Sequence, residues 1–98
     1  MSVPGEERTE EERREIVRQV RQILTKVVTT PTIPRNIRRQ AREALRYLAD
    51  TKQPLALRAA NAIDALNIAL EDQQIPVLAR SLILEAIGLL DMLAKEEG

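Results

Sequence analysis

The spacing of apolar residues is the feature that most constrains how this chain can fold. They recur at intervals of three and four residues through four segments, as Ile16, Val20, Leu24 and Val27 do in the first. Such spacing is typical of amphipathic α-helices that bury one face. The chain has no Phe or Trp and only one Tyr, and aromatic residues are among those that strands favour. The pattern predicts four helices and no sheet.

Capping residues and prolines predict where the helices begin. Thr9 and Glu12 have the spacing of a capping box, in which each side chain accepts a hydrogen bond from a backbone N–H of the other residue. Proline is pre-shaped for the first helical position, so Pro34, Pro54 and Pro76 are predicted to open the next three helices. The predicted helices span residues 9–28, 34–50, 54–70 and 76–95. Residues 1–8 are predicted to be a disordered tail, and residues 9–98 a single four-helix domain.

The second and fourth predicted helices are related in sequence. At an offset of 42 residues, the segment from Ile33 to Leu48 resembles the segment from Ile75 to Leu90, and both open with Ile-Pro. Short loops make consecutive helices antiparallel neighbours. The chain is therefore predicted to be an all-α, antiparallel up-and-down four-helix bundle built from two related helical hairpins.

Three helices open with one phrase, a proline followed by two variable residues, an apolar residue and an arginine. The phrase reads PRNIR, PLALR and PVLAR, and its arginines are Arg38, Arg58 and Arg80. One interpretation is a trio of arginines that binds a ligand. The interpretation we prefer is that each arginine reaches a carbonyl of the preceding loop, or an acid on a neighbouring helix, and so fixes the loop.

The residue types needed for catalysis are missing. The chain has no histidine and no cysteine, so it lacks the usual general base, the thiol nucleophile and the commonest metal ligands. Its three glycines do not form a phosphate-binding loop. The acidic pairs lie at the ends of predicted helices, where we expect solvated carboxylates. The sequence therefore predicts a protein that is not an enzyme and that has no catalytic residue, metal, cofactor or small-molecule substrate.

Charge and hydropathy indicate the cellular compartment in which the protein functions. It has 15 basic and 15 acidic side chains, with a net charge of +3 in residues 1–50 and −3 in residues 51–98. No apolar run approaches the roughly 18 residues that span a bilayer. The first residues are polar and acidic, unlike a secretory signal. We expect a cytoplasmic protein without a membrane segment.

The second predicted helix carries a basic stripe. Arg35, Arg38, Arg39, Arg42 and Arg46 recur at three- and four-residue spacing and share one helical face, opposite the apolar face. Such a stripe fits the phosphates of RNA or an acidic partner. The alternative is that these arginines are solvated, or pair with the acids of the first helix, namely Glu11, Glu12 and Glu15.

The fourth predicted helix carries a second apolar stripe, away from its main apolar face. It consists of Val77, Leu84, Gly88 and Met92 and is flanked by Ser81. Because glycine is costly inside a helix, Gly88 suggests that another helix approaches closely. That helix is either the first or third helix of the same bundle, or the same helix of a second copy in a homodimer.

The segments TIPRNIRRQAREAL, RAANAIDAL and IPVLARSLI resemble a family of small archaeal proteins known only as uncharacterised protein family 0147. The resemblance covers most of residues 14–93 and implies an archaeal source and a four-helix bundle. It implies no activity, cofactor or catalytic residue. We therefore expect a non-enzymatic protein-interaction module that self-associates. The alternative is an accessory protein associated with RNA or ribonucleoprotein through the basic stripe of the second helix.

Overall fold

The computed structural model describes residues 8–96, and these residues form four α-helices without any strand. The helices are α1 (Glu10–Thr29), α2 (Arg35–Ala49), α3 (Leu55–Leu70) and α4 (Val77–Ala94). The predicted capping box is present, because the Thr9 hydroxyl accepts from the Glu12 N–H and the Glu12 carboxylate accepts from the Thr9 N–H. Residues 1–7 of the predicted tail and residues 97–98 of the predicted domain lie outside the described residues.

The three helix-opening prolines are N-cap residues and not the first helical residues that the sequence predicts. Each of these helices therefore starts one residue later than predicted. Pro34, Pro54 and Pro76 have ψ values of 147–150°, so their backbone is extended and not helical. Their carbonyl groups still accept the first hydrogen bonds of the helices. The extended proline also lets the preceding residue point inward, and Ile33 is buried in the core at 1% exposure. The residue before the proline is half-buried at Ile75 and exposed at Gln53, so the helix starts after the proline whether or not that residue reaches the core.

The helices pack in a ring in which α1 contacts α2, α2 contacts α3, α3 contacts α4 and α4 contacts α1. With loops of five or six residues between them, consecutive helices are antiparallel. This arrangement confirms the four-helix bundle. The core is made of aliphatic side chains, and alanines line much of α3, at Ala59, Ala62, Ala65 and Ala69. Small residues at these positions let the helices of the ring lie close together.

The internal repeat is visible in the burial pattern. The buried residues of α2 are Ile37, Ala41, Ala44 and Leu48, and a shift of 42 residues places them on Ala79, Ile83, Ala86 and Leu90 of α4, which are all buried. The same shift carries Val20, Leu24 and Val27 of α1 onto buried residues of α3. The two hairpins therefore contribute equivalent faces to one core.

Polar side chains tie the two hairpins together at both ends of the bundle. At one end, the Asn36 amide donates to the Asp72 carboxylate in the α3–α4 loop. This hydrogen bond, followed by one from the Gln74 N–H, lowers the pKa of Asp72. At the other end, the guanidinium groups of Arg8 and Arg13 donate to Glu96 at 2.9 and 3.0 Å.

Glu96 connects the start of α1 to the end of α4 through its salt bridges with Arg8 and Arg13. Its side chain is only 14% exposed, while Arg13 and Arg8 are 24% and 32% exposed. Burial raises the pKa of the Glu96 carboxyl, but the hydrogen bonds from Arg13 and Arg8 outweigh it and leave that pKa below its ordinary value. Arg8, which the sequence placed in the tail, also donates to the Met92 carbonyl and so lies against α4.

Candidate functional site

The second apolar stripe of α4, defined by Val77, Leu84, Gly88 and Met92, faces solvent. Val77 is 81% exposed, Leu84 49% and Met92 37%. Gly88 and the flanking Ser81 are also exposed. The interpretation that this stripe packs against α1 or α3 is therefore wrong. The opposite face of α4 makes the contacts within the bundle, through residues such as Ile83 and Leu90.

Gly88 has no packing role inside the described residues. A methyl group built on its Cα would meet no atom within 4 Å beyond its chain neighbours and the nearby backbone of α4, so nothing in the bundle requires a glycine there. Glycine in a helix interior costs about 0.5–1 kcal/mol relative to alanine. The chain thus carries an exposed, energetically unfavourable glycine between two exposed apolar side chains, Leu84 and Met92. Such a position suits the close approach of a helix from another molecule.

The basic stripe of α2 is only partly as predicted. Arg35, Arg39, Arg42 and Arg46 are exposed, whereas Arg38 is half-buried. Arg46 pairs with Glu43 on the same helix at 2.8 Å. Among residues 8–96, Arg35, Arg39 and Arg42 have no hydrogen-bond or ion-pair partner. Three cations therefore remain available on this face.

The acids of α1 do not neutralise the stripe. Glu12 is held by the capping box, and hydrogen bonds from the Thr9 backbone and then its hydroxyl lower the Glu12 pKa. Glu15 accepts from Arg18 and Gln19 of its own helix, and these contacts lower its pKa too. The interpretation that the α2 arginines pair with the acids of α1 is thus wrong for Glu12 and Glu15. In the described part of the chain Glu11 has no hydrogen-bonded partner at all.

The arginines that follow the prolines fix loops in two of three cases. The Arg38 Nε donates to the Ile33 carbonyl at 2.9 Å, and the Arg58 Nε donates to the Gln53 carbonyl at 3.0 Å. Both acceptors are residues directly before the proline. Arg58 also donates from Nη1 to the Leu48 carbonyl at 2.9 Å, near the end of α2. Arg80 is exposed and makes no such bond. Arg38 and Arg58 bind carbonyls at opposite ends of α2, so the three arginines do not form one ligand site.

A basic groove runs along the outer face of α1 to the start of α3. Its volume is about 700 Å³. Five arginines and one acid line it, together with two aliphatic side chains and two polar ones. The lining residues are Glu10, Arg13, Arg14, Val17, Arg18, Arg21, Gln22, Thr25, Leu55 and Arg58.

The sequence contained part of the signal for this groove. Arg14, Arg18 and Arg21 have the i, i+4, i+7 spacing of one helical face, as the arginines of α2 do. Their proximity to Leu55 and Arg58 depends on how α3 packs in the bundle. The spacing of residues within one helix does not predict that packing. Sequence reasoning also missed the exposure of Leu57 and Ile68 on α3, at 45% and 53%.

Two further observations on the described residues concern metals and membranes. Within residues 8–96, acidic side chains do not converge in groups of three or more that could hold a metal ion. None of the four helices is both long and apolar enough to span a bilayer.

Comparison with known proteins assigns the family. The model of Uncharacterised protein family (UPF0147) matches residues 4–93. The chain belongs to this family. A family member from Thermococcus kodakarensis is 40% identical over 78 residues, which cover 79% of this chain and 94% of the relative.

Other archaeal members of the family are similarly close. A relative from Desulfurococcus amylolyticus is 39% identical over 69 residues, covering 70% of this chain and 76% of its own. One from Methanosarcina mazei is 34% identical over 83 residues, covering 85% and 89%. No solved structure matches the chain. The comparisons thus confirm the resemblance to an archaeal family, and the four-helix bundle comes from the structure of this chain.

Proposed function

We propose that the protein is a cytoplasmic, non-enzymatic interaction module that self-associates through the exposed apolar stripe of α4. The observation that carries this proposal is the exposure of Val77, Leu84 and Met92 on one face, with Gly88 between the last two. A helix in a small bundle normally presents polar residues to water. An apolar stripe opposite the core face favours a partner that removes it from water.

The chemistry of the stripe suits a second copy of the same chain. Its centre is apolar and uncharged, so it needs no partner of opposite charge. At its edge, Asp91 and Lys95 already pair with each other at 2.9 Å. A two-fold symmetric dimer brings the same patch of both subunits together. Two α4 helices crossing near Gly88 would place Leu84 and Met92 of each copy beside the glycine of the other.

The titratable groups support a non-enzymatic role. Glu12, Glu15, Asp72 and Glu96 have lowered pKa values, and each carboxylate accepts hydrogen bonds from neighbouring residues of the structure. A carboxyl that acts as a general acid near neutral pH needs a raised pKa, and none of these four has one. Among the described residues no polar or charged residue is buried.

Sedimentation equilibrium over a wide concentration range tests the proposal. We expect the wild-type mass to rise from 11.1 kDa towards twice that value as concentration increases. Leu84→Glu places a charge in the stripe and should keep the chain monomeric. Leu57→Glu is the matched control, because Leu57 is similarly exposed on α3 and lies outside the stripe. A wild-type chain that stays monomeric at millimolar concentration, or equal effects of both substitutions, would contradict the proposal.

A second function is favoured by the available cations of α2. Arg35, Arg39 and Arg42 are exposed on one face and have no partner within residues 8–96, an arrangement that fits RNA phosphates. Fluorescence anisotropy with a labelled single-stranded RNA tests this candidate. Binding at low salt that weakens steeply with added salt, and that Arg39→Gln with Arg42→Gln reduces, would support it. Absence of binding at low salt would eliminate it.

A further inference from the structure

The groove along α1 combines positive walls with an apolar floor. Arg14 and Arg21 are exposed and have no partner among the described residues, so their charges are available to a ligand. Between them lie Arg18, which pairs with Glu15 and is 68% exposed, and the half-buried Val17. Leu55, also half-buried, adds a second aliphatic surface from α3.

The excess of positive charge in the groove favours an anionic ligand. Five of its lining residues are arginines and one, Glu10 at the end of the groove, is acidic. Arg13 and Arg58 are already engaged, with Glu96 and with backbone carbonyls, which fixes their guanidinium groups in place. A carbonyl does not neutralise a guanidinium, so Arg58 still contributes positive potential.

The elongated shape of the groove favours an elongated ligand. Its lining follows α1 from Glu10 to Thr25, which at 1.5 Å per residue is about 22 Å. Arg14, Arg18 and Arg21 therefore stand about 6 and 4.5 Å apart along the helix axis. Carboxylates at positions i, i+4 and i+7 of a second helix have the same axial spacing, because both helices have the same rise.

We propose that this groove binds an acidic amphipathic helix of a partner protein. The carboxylates of that helix lie on Arg14, Arg18 and Arg21, and its apolar residues cover Val17 and Leu55. The inference goes beyond self-association, since no residue of α4 lines the groove. RNA is the less favoured ligand, because the groove contains no aromatic side chain on which bases stack.

The test uses a synthetic helical peptide about four turns long, labelled with fluorescein. Its glutamates recur at three- and four-residue spacing on one face, and its leucines lie on the adjacent face. A second peptide has glutamine at every glutamate position, and a labelled single-stranded RNA is the third probe. Binding is measured by fluorescence anisotropy at low salt and at about 150 mM salt, where exposed charges are partly screened.

Two double variants separate the groove from general charge. Arg14→Gln with Arg21→Gln removes the two available cations of the groove, and Lys26→Gln with Arg80→Gln removes two exposed cations outside it. We expect the acidic peptide to bind the wild type and to bind the groove variant at least about tenfold more weakly. The control variant should bind within about twofold of the wild type. The glutamine peptide should lose about as much affinity as the groove variant.

Three results would overturn the proposal. One is the absence of saturable binding of the acidic peptide to the wild-type chain at low salt. Another is an equal loss of affinity in both double variants, which would show that only net charge matters. The third is tighter binding of the RNA that depends on Arg14 and Arg21, which would assign the groove to nucleic acid. Sedimentation of the groove variant should remain that of the wild type, so this test and the test of self-association can fail separately.

Discussion

Arg58 is the side chain whose removal best tests how the prolines and arginines organise this fold. It bridges two helices, because it donates to the Gln53 carbonyl before α3 and to the Leu48 carbonyl near the end of α2. Arg38 occupies the same place in its helix and makes one such bond, to Ile33. Arg80 makes none. Replacing each with methionine keeps the aliphatic stem and removes one positive charge in all three cases.

The structure ranks the three substitutions. A hydrogen bond from a charged donor contributes about 1.5–3 kcal/mol, and partial exposure reduces that value. Arg58→Met loses two bonds and should lower the free energy of unfolding by about 1–2 kcal/mol. Arg38→Met loses one and should cost about 0.5–1.5 kcal/mol. Arg80→Met should change stability by no more than about 0.5 kcal/mol. Methionine and arginine have similar helix propensities, so propensity cancels.

Urea unfolding followed by circular dichroism measures these differences at a dilution where the chain is monomeric. In a domain of this size, each kcal/mol lowers the Tm by about 4–8 °C, so thermal unfolding gives a second reading. Arg58→Lys keeps the charge but not the planar fork, and should fall between the wild type and Arg58→Met. If Arg80→Met destabilises as much as Arg58→Met, the loss of charge explains the effect and the loop-fixing role is refuted.

Three other substitutions test separate parts of the structure. Leu24→Ala empties a fully buried position in the core and should cost about 2–5 kcal/mol in urea unfolding, whereas a loss under about 1 kcal/mol would mean that the core is not packed as described. Gly88→Ala should stabilise the diluted monomer by about 0.5–1 kcal/mol, because the added methyl group meets no atom of another helix within 4 Å, and destabilisation would show a contact that the structure does not contain. Glu96→Gln should flatten the pH dependence of stability. The pKa of Glu96 is lowered by folding, so its contribution is complete above the ordinary glutamate pKa of about 4.3 and is lost as pH falls through the lower folded pKa. Tm values measured between pH 6 and pH 2 should thus fall less steeply in Glu96→Gln, and parallel curves would contradict this role.

The helices and the core were predictable because they depend on local spacing. Residues such as Ile37, Ala41, Ala44 and Leu48 lie three or four positions apart, and a helix places them on one face whatever it packs against. The capping box of Thr9 and Glu12 was predictable for the same reason, since all its atoms belong to four consecutive residues.

Features that depend on how the helices pack against one another could not be predicted from the spacing of residues along the sequence. Arg38 and Arg80 close the same phrase, Ile-Pro followed by two variable residues, an apolar residue and arginine, yet only Arg38 donates to the loop carbonyl. Likewise, nothing local to α4 distinguishes a stripe buried against α1 from one left in water. The groove needed Leu55 and Arg58 to reach α1 from α3. The burial of Ile33 likewise depends on how the helices pack, because Gln53 holds the same position before Pro54 and is exposed.

The stripe of α4 and the groove of α1 share no residue, so binding at one surface uses no side chain of the other. The two would have different salt dependences. Apolar burial between two α4 helices changes little with salt, whereas a contact with the groove arginines weakens as salt screens it. Salt titration therefore separates the two contacts: self-association through α4 should persist as salt rises, whereas binding of the acidic peptide to the groove should weaken.

The most direct test of the central claim, self-association through α4, is a dilution series of ¹H–¹⁵N NMR spectra of the wild-type chain. Amide chemical shifts that change with concentration report which residues enter the interface. Self-association through α4 predicts changes concentrated between Val77 and Met92 on the exposed face, with little change along α2 or in the groove of α1. Spectra that do not change with concentration, together with a monomer mass, would contradict self-association through α4, as would changes confined to α2 or α3.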